Sequence, residues 1–255
     1  MNVDDLKKRK GGQKVTMLTA YDYQMAGILD EAGIDTILVG DSLGNVVLGY
    51  EGTRQVTMDD MVRHIQAVAR GSERAHIVGD MPIASYDTPS DALSNAKRLV
   101  DAGADSVKLE GLKPDIIRAI LSSGIPVVGH LGLLPQTAED LKVRGKTGDE
   151  AERILRDAVE LDQLGVYAIV LECIPLMLAK KITESVKALT IGIGAGPHCD
   201  GQVLVINDML GMTPGHRPRH VKRYADLRKV VGDAAQRYID EVKSGAFPDD
   251  EHSFH

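Results

Sequence analysis

Ser106-Val-Lys-Leu-Glu110 and Pro126-Val-Val-Gly-His130 bracket an amphipathic stretch, Leu112 to Gly124, and the three read together as one strand–helix–strand unit. Both outer runs are short and apolar, as parallel strands covered on each face should be. The middle stretch is about three turns of helix. The same rhythm continues in both directions. Upstream lie Val15-Thr-Met-Leu-Thr-Ala20, Thr36-Ile-Leu-Val-Gly-Asp41 and His76-Ile-Val-Gly-Asp80. Downstream lie Ala168-Ile-Val-Leu-Glu172, Thr190-Ile-Gly-Ile-Gly194 and Val203-Leu-Val-Ile-Asn207. Helix starts are marked by Thr57 with Asp60, Thr88-Pro89 with Asp91, and Thr147 with Glu150, in capping-box spacing. Gly71, Gly103, Gly124 and Gly165 fall where helices should stop. Eight strand–helix units at this chain length predict an α/β fold, a (β/α)8 TIM barrel forming a single domain over residues 1–255. An open doubly wound sheet has a similar element count. The barrel is preferred because no segment resembles a second domain or an antiparallel edge.

Composition narrows the class. Thirty basic against 37 acidic residues give a net charge of −7, which argues against a nucleic-acid or anionic-membrane surface. No apolar run approaches a membrane span. Met1-Asn2-Val3-Asp4-Asp5 lacks a secretory pattern, so a cytoplasmic protein is expected. Two cysteines, Cys173 and Cys199, build neither a disulfide framework nor a zinc knuckle. With two Phe, seven Tyr and no Trp, the core must be aliphatic.

In such a barrel the C-terminal strand ends face the active site. Asp41, Asp80, Glu110, His130 and Glu172 stand at the ends of five successive strand runs. Lys108 precedes Glu110 by two residues, so alternation points both to one side. Buried carboxylates need a partner or a metal, and three from three strands suggest a cation site at Asp41, Asp80 and Glu110. An all-oxygen set favours Mg²⁺, whose open positions suit the two oxygens of a 2-oxo acid and whose charge stabilises an enolate. Two readings stand for each side chain. A lone Asp at a βα turn also serves as a helix cap. Lys108 either meets substrate oxygens or simply pairs with a carboxylate. His130 either polarises substrate or is structural. Glu172, in the apolar run Val170-Leu-Glu-Cys-Ile-Pro175, is either a general base or half of an ion pair. Cys173 should point away from Glu172 and pack toward the helices. Gly192-Ile-Gly-Ala-Gly196 is followed by Pro197 instead of a helix, which disfavours a dinucleotide fingerprint. His216 and His220 are set aside as ligands because their surroundings are polar.

At these residues the sequence resembles the ketopantoate hydroxymethyltransferase (3-methyl-2-oxobutanoate hydroxymethyltransferase) family over nearly its whole length. The resemblance is carried by Thr19-Ala-Tyr-Asp22, Leu38-Val-Gly-Asp-Ser-Leu-Gly44, Gly79-Asp-Met-Pro82, Val107-Lys-Leu-Glu-Gly111, Gly129-His-Leu-Gly132, Leu171-Glu-Cys-Ile-Pro175, Ile191-Gly-Ile-Gly-Ala-Gly196 and Glu251-His-Ser-Phe254. It implies a (β/α)8 enzyme of pantothenate and coenzyme A biosynthesis that transfers a one-carbon unit from 5,10-methylenetetrahydrofolate to 3-methyl-2-oxobutanoate. It further implies that Asp41, Asp80 and Glu110 bind Mg²⁺, that Asp41, Ser42, Asp80 and Lys108 contact the oxo acid, and that Glu172 accepts the proton. A homo-oligomer, commonly a decamer, is also implied. The chain departs from the family pattern at Leu134, usually Thr, and in a shortened loop before Lys142-Val-Arg-Gly145 that lacks Gly-Gly-Tyr. Two other functions compete. A lyase of the phosphoenolpyruvate-mutase and isocitrate-lyase type should carry a Lys-Lys-Cys-Gly-His signature, which is absent. A catalytically silent barrel binding a 2-oxo acid should have lost Glu172 or one of the three acids, and all four remain.

Overall fold

Eight parallel strands close into a barrel in sequence order, β1 pairing with both β2 and β8, in a computed structural model that describes residues 1–215 and 218–255. The strands are β1 Val15–Thr19, β2 Thr36–Val39, β3 His76–Asp80, β4 Ser106–Lys108, β5 Val127–Gly132, β6 Ala168–Glu172, β7 Leu189–Ile193 and β8 Gly201–Leu204. The helices are α1 Val3–Lys7, α2 Tyr23–Glu31, α3 Leu43–Val46, α4 Met58–Gly71, α5 Pro89–Asp101, α6 Pro114–Leu121, α7 Gly148–Leu164, α8 Leu176–Ser185, α9 Ile206–Met209 and α10 Leu227–Ser244. The expected barrel is therefore present. β8 begins two residues earlier than the sequence pattern placed it, and Ile206 and Asn207 belong to α9. His216 lies outside the described residues.

The start signals act as capping predicts. Thr57 accepts from the Asp60 backbone N–H while Asp60 bonds back, a complete capping box for α4. Thr88 and Thr147 likewise accept from the Asp91 and Glu150 backbone N–H groups. Such caps satisfy N–H groups that a helix start leaves open.

Strands covered on both faces account for the apolar runs. The interior cluster includes Val15, Met17, Leu38, Val78, Val128, Val170, Leu189, Ile191 and Val203, with Tyr167 its one aromatic member. Leu6 of α1, 1% exposed, belongs to the same cluster. Arg9 and Lys10 follow α1 and pair with Asp35 and Asp200 at 2.8 Å each. Those aspartates immediately precede β2 and β8, so the N-terminal segment lies across the end of the barrel where strands begin. The strand C-terminal end is left for the polar side chains.

By compactness the chain divides into Met1–Val205, which holds all eight strands, and Ile206–His255. In the second unit, the Tyr224 backbone N–H donates to the Met209 carbonyl and that of Leu227 to Leu210. The Phe247 ring meets Tyr238 and His252. α10 has no buried residue; Val231, Tyr238 and Val242 are 60%, 57% and 44% exposed. No helix among the described residues is long and apolar enough to cross a membrane.

Candidate active site

The short strands β2 and β4 deliver their acids just past their last paired residues. Asp41 stands two residues beyond β2 and Glu110 two beyond β4, while Asp80 is the last residue of β3 and Lys108 the last of β4. All four are buried. Lys108 Nζ lies 2.6 Å from Asp80 Oδ1, and the Asp41 backbone N–H donates to Asp80 Oδ2 at 3.3 Å. One ammonium thus faces a group of buried carboxylates.

The charge imbalance sets the protonation. Burial, reinforced by Asp80, pushes the Asp41 carboxyl up to about 7. Burial, with Asp41 and Asp80 beside it, pushes Glu110 up to about 9 despite the opposing pull of Lys108. For Lys108, burial disfavours the ammonium, but Asp80, Asp41 and Glu110 outweigh it and the net direction is up. These are the signs of a site holding more negative charge than its own cation balances. A hard, all-oxygen donor set with surplus negative charge fits a divalent cation such as Mg²⁺. Among the described residues no three His, Cys, Asp or Glu side chains are grouped closely enough to hold an ion by themselves. Water or substrate oxygens would complete its shell, as Mg²⁺ prefers.

His130, in β5, is buried between two of the acids. Its Nδ1 is 3.7 Å from Glu110 Oε1 and its Nε2 3.2 Å from Glu172 Oε2. Neither ring nitrogen makes a hydrogen bond within the protein, and the Nδ1 contact is too long for one. Burial lowers the His130 pKa and keeps the ring neutral. Glu172 ends β6 with its side chain 18% exposed, so it reaches the mouth of the barrel next to the neutral imidazole. Ser42 bonds the Tyr21 hydroxyl at 2.8 Å at the foot of α3. The structure therefore gathers Asp41, Asp80, Lys108, Glu110, His130 and Glu172 at one end of the barrel, with Ser42 adjoining Asp41 in the chain.

Several features escaped the sequence reading. Gln136, in the loop between β5 and α7, is 1% exposed and donates from Nε2 to Asp41 Oδ2 at 2.8 Å and to the Met81 carbonyl at 3.0 Å. Its backbone N–H donates to Glu110 Oε2 at 3.2 Å. Tyr86, in the loop after β3, donates its hydroxyl to Gln136 Oε1. Arg54 holds the same loop from outside, donating to the Gln136 and Ala138 carbonyls at 3.0 and 2.8 Å. Pro135-Gln136, directly after the strand carrying His130, was the available signal, because loops at strand C-terminal ends build barrel sites. Cys173 breaks the expected alternation with φ +48°, and Ala84 after β3 has φ +62°. Non-glycine residues in this region are strained, and such strain collects at functional sites. Leu134, the departure from the family pattern, sits beside Gly111 at the same end.

Comparison with known proteins places the chain in a family. The family model described as ketopantoate hydroxymethyltransferase matches residues 1–250. A protein of Thermoanaerobacter sp. (strain X514), named 3-methyl-2-oxobutanoate hydroxymethyltransferase, is 56% identical over 97% of this chain and 93% of its own length. One of the same name from Ignicoccus hospitalis is 53% identical over 96% and 95%. Among solved structures, phosphonopyruvate hydrolase in complex with oxalate and Mg²⁺ superposes with a TM-score of 0.65 at 13% identity, covering 99% of this chain and 93% of that one. A 2,3-dimethylmalate lyase, described as a member of the PEP mutase/isocitrate lyase superfamily, gives 0.62 at 13% identity over 99% and 91%. At that identity the likeness is one of fold.

Proposed function

The chain belongs to the ketopantoate hydroxymethyltransferase family, and from that premise we propose that it transfers a hydroxymethyl group from 5,10-methylenetetrahydrofolate to 3-methyl-2-oxobutanoate, giving 2-dehydropantoate for pantothenate and coenzyme A synthesis in the cytoplasm. The observation that carries the reading is the buried Asp41–Asp80–Lys108–Glu110 cluster, with Glu172 beside a neutral His130 at the same strand ends.

Asp41, Asp80 and Glu110 would hold Mg²⁺, which when bound draws electron density from the 2-oxo group. Lys108 presents its ammonium to the same oxygens, and Ser42 and Asp80 fix the oxo acid in place. Glu172 takes the proton from C3. His130, kept neutral by burial, lies beside the Glu172 carboxylate and sets no positive charge against it. The C3–H electron pair moves into the enolate, which forms a carbon–carbon bond to the methylene carbon. The carbon–nitrogen bonds to the folate break, water supplies the hydroxyl, and tetrahydrofolate leaves. The exposed apolar residues of α10 support a homo-oligomer, ten copies by the family resemblance.

The test is deuterium incorporation at C3 of 3-methyl-2-oxobutanoate in D₂O, followed by proton NMR, with and without Mg²⁺ and beside Glu172→Gln. Exchange that needs both Mg²⁺ and Glu172 is expected. A folded protein silent in exchange, with and without methylenetetrahydrofolate, would sink the reading.

A further inference from the structure

We propose that Gln136 is the positioning residue of the acidic cluster, holding Asp41 and Glu110 in the orientation in which they accept a divalent cation. The inference rests on reading the cluster as a cation site. Among the described residues, the side chains of Asp41 and Glu110 each receive their one hydrogen bond from this residue. The side-chain amide serves Asp41 at 2.8 Å, and the backbone N–H serves Glu110 at 3.2 Å. Lys108 serves Asp80 instead.

The sense of the amide is fixed by its partners. Nε2 faces two acceptors, Asp41 Oδ2 and the Met81 carbonyl, while Oε1 takes the Tyr86 hydroxyl. Turning the amide over would set its oxygen against two acceptors and waste both donors. Tyr86 is 5% exposed and donates its hydroxyl to the amide oxygen, so losing the amide takes away the acceptor of a buried donor. Arg54 fixes the backbone of the same residue from the opposite side. An amide brings no formal charge, so Gln136 orients Asp41 through Oδ2 and leaves Oδ1 for the cation. A lysine there would neutralise the carboxylate that the cation needs. Partners that orient ligands in this way contribute about 10–100-fold to metal affinity or activity.

The experiment uses Gln136→Leu, Tyr86→Phe and the double variant. Mn²⁺ is titrated by EPR without substrate, and C3 exchange and thermal unfolding are followed in parallel. Gln136→Leu should weaken Mn²⁺ binding about 10–100-fold. Tyr86→Phe should cause a smaller loss of the same kind. The double variant should bind Mn²⁺ as Gln136→Leu does, because Tyr86 acts only through the amide. A merely structural role would lower the unfolding temperature, leave Mn²⁺ affinity unchanged and give additive losses. Wild-type affinity in folded Gln136→Leu, or additive losses in the double variant, overturns the proposal. If Gln136→Leu does not fold, Tyr86→Phe decides: weakened Mn²⁺ binding supports the proposal and unchanged binding overturns it. Absence of Mn²⁺ binding to the wild-type protein overturns the cation reading itself, a result separate from failure of Gln136 alone.

Discussion

Gly132→Ala is expected to damage the reaction through the backbone of Glu172. Gly132 ends β5 opposite Glu172 of β6, with φ +96°. A Cβ there would lie 2.2 Å from the Glu172 carbonyl oxygen and 2.7 Å from Ile174 Cγ2, where ordinary contact begins at 3.4 Å. The end of β6 must therefore recede by about 1 Å, and a misplacement of ~1 Å costs roughly 100-fold when geometry limits the reaction. The same carbonyl accepts the Leu133 N–H at 2.9 Å, a bond the shift disrupts. Left-handed strain of about 1–2 kcal/mol and a lost hydrogen bond of about 1 kcal/mol give about 2–3 kcal/mol of destabilisation. For a protein of this size that lowers Tm by roughly 4–12 °C. The assay is Mg²⁺-dependent C3 deuterium exchange beside thermal unfolding, with Gly124→Ala as the control. Gly124 also has positive φ, +83°, but a Cβ there meets nothing within 4 Å. It should lose a few degrees of Tm, about 2–8 °C, and keep full exchange. Wild-type exchange in Gly132→Ala, or an equal loss of exchange in Gly124→Ala, would refute the reasoning.

Other consequences are as direct. Lys108→Met strands the buried Asp80 carboxylate and should cost about 3–5 kcal/mol in urea unfolding; an unchanged midpoint would contradict the ion pair. In chelator, Asp41 and Glu110 have folded values raised to about 7 and about 9 from 3.8 and 4.5, so the folded state binds more protons in that interval. The stability of the metal-free protein should thus fall as pH rises from about 4 to about 9, and added Mg²⁺ should flatten the slope. A chelated protein whose Tm rises through that window would show the charge balance to be misassigned. Val231→Asp with Val242→Asp places two charges on the exposed apolar stripe of α10 and should shift sedimentation toward smaller species, whereas an unchanged profile removes α10 from any interface.

Strand placement was readable because a doubly covered strand must be apolar along its length, and β3 and β6 start and end where their runs do. The acids stood out because carboxylates recur at successive strand ends, where a single one would pass for a helix cap. β8 was harder: Val203 to Ile206 is one continuous apolar run, and nothing in its composition marks Val205 as the turn into α9. Gln136 and Tyr86 lie in loops without periodicity, where an amide or a phenol looks the same whether it meets water or a buried carboxylate. Only the folding of the β5–α7 loop over Asp41 separates those cases. The left-handed turn at Cys173 was hidden too, since that region favours glycine and a cysteine there gives no local sign of it.

The ring closes between its first and last strands, Val15 against Gly201, and the same seam carries the Lys10–Asp200 pair. On a ribosome this seam is the last to become possible. At about 5–20 residues per second, roughly 10–40 s separate synthesis of its two sides. Throughout that interval the nascent chain has an apolar strand edge without its partner, a state prone to mispairing with neighbouring chains. Slow translation or chaperone retention should therefore matter most before residue 204 emerges, and a variant lacking the seam pair should show its defect in the yield of newly made protein.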